Sequence, residues 1–446
     1  MTKTRVQATN PDRKGSNCPP FCGIATRIWS RCLTDQDQAP KRQEMNHPSR
    51  LSKKQEYLLA VAAAVITANA YYIHPIIRDV AAHFAVSTAR IGLVPALNQL
   101  AVAIGILLLL PLGDRYSNRS LTLVFTIGQC AGLLVMTLAK SFELFTAGST
   151  LLGFFTIAPY LLPAYASKRV APERLGQVTA TISAGVIFGI LVARLGAGVI
   201  AEYFGWRAVY WIASGAMIAI TLALPRIMEK GSVDRSVSEL RYLQLITSLF
   251  ALVRTHREVT LSGAIQGVSF GQFIALWLGL ALHLTGPDMG YGTDVVGYLA
   301  GFAAISVFKT PYWGRLADRV GPRKARVAFA IVQTVGVSRV LPVGGDIWLL
   351  KLPVHVGNIV GPAIDVTSRM TFLSLEPEIR TRLTTIYIVM MFVGGSIGST
   401  AGTAVFDAFG WTGTALYVFA SCLLLTALSV IAFWLYGKKD PPFDVR

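Results

Sequence analysis

The stretch GRLADRVGPRK (residues 314–324) places one acidic and four basic residues between two long apolar segments. A related stretch, LPLGDRYSNR (residues 110–119), occurs 204 positions earlier. At this offset three charged residues recur: Asp114 aligns with Asp318, Arg115 with Arg319 and Arg119 with Arg323. The first copy departs at two positions, where Leu110 and Ser117 replace Gly314 and Gly321. A short charged loop therefore occurs twice in an apolar chain.

Further matches at an offset of 205 extend this similarity over much of the chain. They pair Pro172-Glu173 with Pro377-Glu378, Gly189 with Gly394, and Phe204-Gly205-Trp206 with Phe409-Gly410-Trp411. Because several separate matches share nearly the same offset, the chain is interpreted as two copies of one structural unit.

The composition is typical of an integral membrane protein. Charged residues make up 15% of the 446 residues, whereas soluble domains carry about 25%. The net charge of +17 does not indicate nucleic-acid binding, because the basic residues form short clusters between apolar runs rather than one basic face. No GxxxxGK[ST] or HExxH motif is present, and GxSxG occurs only inside apolar spans (267–271 and 394–398) rather than as a nucleophile elbow, so neither an ATP-driven pump nor an enzyme is predicted.

Twelve windows are long and apolar enough to cross a bilayer as helices, which takes about 20 residues each. We number them spans one to twelve; they cover residues 56–76, 91–112, 120–139, 144–167, 176–201, 207–225, 259–284, 294–313, 325–342, 347–373, 383–407 and 412–436. Six spans fall in each copy. Since six is even, both copies enter the membrane from the same side, and the repeat is parallel.

The basic residues predict the orientation of the chain. With both termini on one side, 32 of the 41 Lys and Arg residues fall on that side and six on the other. Cytosolic loops are enriched in Lys and Arg, so both termini are predicted to be cytosolic. We expect the plasma membrane, with a vacuolar or other internal membrane as the alternative. Translation from Met1 or from Met45 stays open.

Five segments follow from the span positions. They are a disordered cytosolic tail (1–55), an N-terminal six-helix bundle (56–225), a cytosolic linker (226–258), a C-terminal six-helix bundle (259–436) and a cytosolic tail (437–446). The predicted fold class is an all-α membrane protein of twelve transmembrane helices in two parallel-repeat bundles.

The repeated loop resembles the signature G-x-L-a-D-r-x-G-r-k of the major facilitator superfamily, which lies between helices two and three and again between eight and nine. The chain resembles that superfamily over residues 56–436. The resemblance implies two bundles that rock around a central site near the midplane. It also implies a conformational latch formed by eight residues: Asp114, Arg115, Arg119, Gly314, Asp318, Arg319, Gly321 and Arg323. The rival interpretation of these charges is that they only set the topology, which we favour for Lys324 and Arg326.

Other stretches are similar to a narrower, bacterial-type group of drug and metabolite efflux proteins. They are ANAYYIHP (68–75), LLLLPLGDR (107–115), FGILVARLGAGVIAEYFGWRAVYW (188–211), LTGPDMGY (284–291) and GGSIGSTAGT (394–403). This resemblance implies export coupled to proton entry and names no cargo. Span five lacks the proline of the usual antiporter signature, so that motif does not itself imply antiport.

Three basic residues lie inside spans: Arg194, Lys309 and Arg369. A charge near mid-membrane costs at least ~2.5 kcal/mol, so such a residue should face protein or water. Arg194 is predicted to bind a polar or anionic group of the cargo or to control a proton site; a buried pair or snorkelling is the alternative. The same energetic argument makes Lys309 a candidate.

Span ten contains Asp365 and Arg369, which are four residues apart and can pair on one helix face. We favour a structural pair, or a bond from Asp365 to Arg319 or Arg323, over proton coupling by Asp365.

The remaining candidates are uncharged or weakly basic side chains within spans. They are Asn69, Tyr72, His74, Gln99, Gln272, Trp277 and Asn358. Cavity lining and ordinary hydrogen bonding between helices are both open interpretations. Pro75 is expected to break span one and free a backbone carbonyl.

The predicted function is secondary active export of a small organic compound (a drug, toxin or secondary metabolite) by proton antiport. Two alternatives remain: an importer of a small carboxylate or other solute, and a non-transporting membrane sensor. The expected partners are the lipid bilayer, the small-molecule substrate and protons. No nucleic acid or cofactor is expected. No metal is expected either, because the five cysteines lack the spacing of metal ligands. We expect a monomer.

Overall fold

The computed structural model describes residues 51–167, 169–229, 242–303, 310–340, 342–373 and 377–437, and these ranges contain helices and turns but no strand. Most of the predicted N-terminal tail, up to residue 50, lies outside the described residues. So does the candidate Lys309.

Nine helices build the N-terminal half. They are α1 (Lys53–Ala68), α2 (Ile73–His83), α3 (Thr88–Ile91), α4 (Leu93–Leu109), α5 (Asn118–Leu138), α6 (Phe142–Phe154), α7 (Ala158–Ser167), α8 (Pro172–Phe204) and α9 (Trp206–Ile227). Spans one, two and four are each built from two consecutive helices. In span one the interruption lies at residues 69–72, just before Pro75, which sits in the first turn of α2.

Seven helices follow in the described part of the second half. They are α10 (Tyr242–Thr255), α11 (Arg257–Leu284), α12 (Thr293–Ala303), α13 (Thr310–Val320), α14 (Pro322–Val337), α15 (Ile347–Leu373) and α16 (Pro377–Tyr436). Helix α16 has 60 residues and holds spans eleven and twelve, which meet at the non-helical Gly410.

Within the described ranges, nine helical segments are long and apolar enough to cross a membrane, and the last of them has 58 residues. That length is more than twice the roughly 20 residues one crossing needs, so this segment accounts for two spans. Span eight is built from α12 and α13, on either side of residues outside the description, and span nine is the 16-residue α14. The described helices therefore cover ten predicted spans with segments long enough to cross a membrane, while spans eight and nine fall on shorter helices.

The repeat predicted from the sequence is visible in the backbone at the Phe-Gly-Trp motifs. Gly205 separates spans five and six with φ +80°, and Gly410 separates spans eleven and twelve with φ +58°. Residues with a Cβ are strained at positive φ, so the same turn requires glycine in both copies.

The two copies of the charged loop differ because they turn differently. Gly321 adopts φ +96° between α13 and α14, which favours glycine. In the first copy, Ser117 adopts φ −64° and its hydroxyl accepts a hydrogen bond from the Ser120 N–H at 3.2 Å, which caps α5. A serine cap at ordinary φ needs no glycine.

Small residues let helices approach closely inside each half. A Cβ on Gly189 would clash with the Ala64 carbonyl oxygen of span one, and a Cβ on Gly394 would clash with Gly267 of span seven. Each of these two contacts lies within one half. Gly198 is different, because it packs against Thr293 of the other half.

The segment joining the halves contains a helix that the sequence analysis did not anticipate. Helix α10 lies in the predicted linker, and its Tyr242 hydroxyl donates to the Leu108 carbonyl oxygen of span two at 2.5 Å. Leu249 of the same helix packs with Leu383 of span eleven. Helix α10 therefore contacts both halves.

Candidate functional site

A cavity of about 720 Å³ lies between the two halves. Its volume falls within the ~300–1,000 Å³ typical of small-molecule sites. Most of its wall is apolar or aromatic, and the polar wall residues are Thr67, Tyr71, Thr156, Tyr160, Thr179, Ser183, Arg194, Gln266, Ser269, Gln272, Gln333, Asn358, Asp365, Arg369 and Thr384. Spans from both halves contribute to this wall.

The halves contact each other beyond one end of the cavity. We call the side where the described chain begins and ends the terminal face, and the other side the opposite face. Near the opposite face, Ser399 donates to the Gly92 carbonyl oxygen at 2.9 Å and Thr293 donates to that of Gly198 at 2.9 Å. Thr88 also donates to Asp407. The wall residues nearer the terminal face include Thr179 and Thr384, so the cavity extends from these contacts toward that face.

Arg194 occupies the end of the cavity close to these contacts. It lies on α8, one turn before Gly198, and is only 2% exposed. One guanidinium nitrogen lies 3.1 Å from His74 Nδ1. Among the described residues, no carboxylate lies within ion-pair distance of it. The deep end of the cavity therefore carries a positive charge with no acidic neighbour in the described chain.

Three aromatic rings surround this cation. The Arg194 guanidinium carbon lies 4.7 Å from the ring centres of both Phe273 and Trp277, and 5.4 Å from that of Tyr71. Phe273 and Trp277 are one turn apart on α11, so they present one face to Arg194. Rings at this distance attract a cation through their negative faces. The cage therefore holds the charge in place without neutralising it.

Several polar atoms around Arg194 have no hydrogen-bond partner among the described residues. They include Arg194 Nε, His74 Nε2, Gln272 Oε1 and Trp277 Nε1. Buried polar groups are nearly always paired, because leaving one without a partner costs about 1–3 kcal/mol. Arg194 and its neighbours thus contain hydrogen-bonding groups that the described residues leave unused.

The second charged site lies on the C-terminal half, nearer the terminal face. Arg369 Nε lies 3.0 Å from both carboxylate oxygens of Asp365, and the Tyr387 hydroxyl donates to Asp365 Oδ1 at 2.7 Å. The guanidinium also lies over the Tyr387 ring at 4.9 Å. The pair predicted from the four-residue spacing is therefore present, and Asp365 bonds within span ten and to span eleven rather than to Arg319 or Arg323.

Four of the predicted candidates lie in the cavity wall: Arg194, Gln272, Asn358 and Asp365. His74 and Trp277 are buried, at 1% exposure each, and contact Arg194 from outside the wall.

Three other candidates lie away from the wall because they pack into helix interfaces. Asn69 is buried and its amide donates to Met217 Sδ of span six at 3.4 Å. Gln99 is fully buried beside Gly395 of span eleven. Tyr72 is half-buried and packs against a hydrophobic cluster formed by residues of both halves.

The sequence analysis missed several residues of the site. Tyr71 and Phe273 complete the cage around Arg194, while Gln333 adds an amide to the wall. Phe273 could have been found from its four-residue spacing to Trp277, since both share one helix face. Tyr71 lies in the break of span one, where helical spacing gives no guide.

In the second copy of the charged loop, the acidic residue and the basic residues differ in their contacts. Asp318 is exposed and bonds to none of the described residues, whereas Arg323 is buried and donates to Glu258 of span seven at 2.7 Å. Arg326 was expected to be a topology-setting charge, but it is fully buried and donates to Ser262 at 3.0 Å. Arg323 and Arg326 thus tie helices of the C-terminal half together.

In the first copy, Arg115 and Arg119 are half-buried. The side chain of Asp114 lies outside the described part of the structure. The latch implied by the family resemblance stays a prediction for these residues and for Gly314, which is half-buried near Val366.

Comparisons with known proteins agree with the repeated loop and the two-bundle architecture. A sequence profile described as Major Facilitator Superfamily matches residues 59–373. The uncharacterized transporter YgaY of Escherichia coli O157:H7 is 28% identical over 360 residues, covering 80% of this chain and 90% of the relative. A bicyclomycin resistance protein homolog of Haemophilus influenzae is 25% identical over 337 residues, covering 74% and 82%.

Solved structures show the same fold at low sequence identity. The nucleoside transporter NupG superposes with a TM-score of 0.70 at 12% identity, covering 85% of this chain and 100% of that one. A bacterial homolog of the human lysosomal transporter Spinster, in an inward-facing and occupied conformation, gives a TM-score of 0.66 at 15% identity, covering 87% and 98%. At these identities the likeness concerns the fold alone.

Proposed function

The chain belongs to the Major Facilitator Superfamily and is a membrane transporter, and we propose that it exports a small organic compound in exchange for protons. The family and the fold predicted from the sequence are confirmed. Export, proton coupling and the class of cargo are the proposal.

The observation that carries the proposal is the wall of the central cavity. It combines aromatic and aliphatic side chains, among them Phe270, Phe273 and Phe392, with scattered amides and hydroxyls. Such a wall suits an amphipathic compound better than a sugar, whose many hydroxyl groups would each need a partner. A relative named as a bicyclomycin resistance protein homolog supports export of a small organic compound.

Alternating access follows from the placement of the contacts between the halves. In the orientation predicted from the basic residues, the terminal face is cytosolic and the cavity extends toward the cytosol. The contacts at Gly92 and Gly198 then close the external side. Rocking the halves would open these contacts and release the cargo outward.

Asp365 is our candidate for the proton site. It is the only carboxylate in the described wall of the cavity. Its negative charge is stabilised by Arg369 and by the Tyr387 hydroxyl. Protonation of this carboxylate would weaken both bonds and allow the two side chains to separate. A structural pair and a proton site are compatible roles for the same residues.

An untargeted comparison of small molecules in cells and medium tests the proposal. We expect a compound that accumulates inside cells and falls in the medium when the gene is deleted, and that returns to normal with the intact gene. An Asp365→Asn variant should fail to restore it, while Arg90→Gln, at an exposed pair near the opposite face, should succeed. A compound removed from the medium only by the intact gene would instead show import.

A further inference from the structure

The charged residues in the described wall of the cavity carry a net charge of +1. Its charged residues are Arg194, Asp365 and Arg369, and the last two neutralise each other at 3.0 Å. Arg194 remains as an isolated cation at the deep end, with no acidic residue of the described chain beside it. A low-dielectric site with a fixed positive charge favours an anion.

The aromatic cage does not by itself account for Arg194. A desolvated cation–π contact contributes about 2 kcal/mol, and a charged side chain at the membrane centre costs at least that much. The rings also leave the guanidinium N–H groups unused, since their attraction acts through the ring face. His74 meets one of these nitrogens, while Arg194 Nε has no partner among the described residues.

The geometry around Arg194 suits an acid group with an apolar body. A guanidinium presents parallel N–H donors that match the two oxygens of a carboxylate. Phe270, Phe273 and Phe392 lie in the same wall and can pack against an aromatic or aliphatic body.

We propose that Arg194 binds the acid group of an organic anion, so that the cargo of this transporter is an organic acid with an apolar body. The inference rests on the proposed function and narrows its cargo. A carboxylate and a sulfonate share the oxyanion chemistry that Arg194 would recognise, and both are covered. Binding the anion supplies the negative charge that the described chain does not place beside Arg194.

Binding of matched probes to the purified full-length protein in detergent tests this inference. The probes are benzoate with benzamide, naphthalene-2-carboxylate with its amide, and octanoate with octanamide, each followed by calorimetry. Within a pair the apolar body is constant and only the charge changes. We expect at least one acid to bind about 10- to 100-fold more tightly than its amide, the range for a hydrogen bond to a charged group. Naphthalene-2-sulfonate extends the series to a second oxyanion.

Variants test whether Arg194 is responsible for the preference for an acid over its amide. Arg194→Met should abolish the preference while leaving amide binding within about threefold, and Arg194→Lys should keep part of it, because lysine retains the charge without the paired donors. The matched control is Arg90→Gln, which removes an exposed basic residue outside the cavity wall and should keep the preference. Size-exclusion profiles confirm that each variant is folded.

Two results would overturn the inference. Equal binding of every acid and its amide to the wild-type protein would show that the cavity does not select an anion. A preference that persists in Arg194→Met would place the anion elsewhere. Neither result depends on export. An acid preference without gene-dependent export would contradict the proposed function alone. Gene-dependent export of a neutral compound would contradict this inference alone.

Discussion

Two charged sites face the same cavity, one in each half of the molecule. In the C-terminal half, Asp365 is bonded to Arg369 and to the Tyr387 hydroxyl. In the N-terminal half, Arg194 contacts His74 and three aromatic rings but no described carboxylate. The Asp365–Arg369 pair is neutral within the chain, so breaking and forming its bonds can accompany a conformational change. Arg194 has no described carboxylate to neutralise it, so a bound ligand is needed to supply the negative charge.

Separating the Asp365–Arg369 pair should give the largest change in stability at the two charged sites of the cavity. Asp365→Ala leaves the Arg369 guanidinium without its carboxylate, and we expect the free energy of unfolding in detergent to fall by about 2 kcal/mol. This lies below the range for a fully buried pair, because the two side chains are 29% and 30% exposed. Asp365→Ala combined with Arg369→Gln should recover much of the loss. A double variant that loses the sum of the Asp365→Ala and Arg369→Gln losses would show that the pair is not coupled.

Removing one hydroxyl should give an intermediate change at the same site. Tyr387→Phe deletes the 2.7 Å bond to Asp365, and we expect about 1 kcal/mol of lost stability in the same unfolding measurement. The matched change at the other site is Tyr71→Phe, which keeps the ring beside Arg194. It should leave stability nearly unchanged, and equal losses at the two tyrosines would remove the contrast between the sites.

The smallest change is expected at Arg194 itself when no ligand is present. Arg194→Met removes an unneutralised charge from an apolar cage, so the free energy of unfolding should stay within about 1 kcal/mol of the wild type or increase. Arg323→Met is the contrasting control, because Arg323 is buried and paired with Glu258, and its loss should cost about 3 kcal/mol. If Arg194→Met were as damaging as Arg323→Met, the aromatic cage would be the true partner of the charge.

Patterns that repeat along the chain could be predicted from the sequence. The charged loop, the Phe-Gly-Trp motif at Gly205 and Gly410, and the spacing of Asp365 and Arg369 all depend on local geometry, and the structure contains each of them. The cost of a charge in a membrane also predicted that Arg194 would face protein or water, and it is buried in the cavity wall.

Contacts between distant segments could not be predicted in this way. His74 lies 120 residues from Arg194 in the sequence, and Phe273 approaches from the other half. The sequence favours a topology-setting role for Arg326, yet its position on α14 directs it toward Ser262. Which face of a helix meets a neighbour is decided by how the bundle packs, and hydrophobic spacing does not specify this in uniformly apolar spans.

The central claim is that the cargo supplies the anion that Arg194 lacks. The most direct measurement takes the compound whose export depends on this gene and titrates it into the wild-type protein and into Arg194→Met. We predict that the compound carries an acid group, that Arg194→Met weakens its binding about 10- to 100-fold, and that its amide binds both proteins equally weakly. A neutral or cationic compound that binds both proteins with the same affinity would contradict the claim.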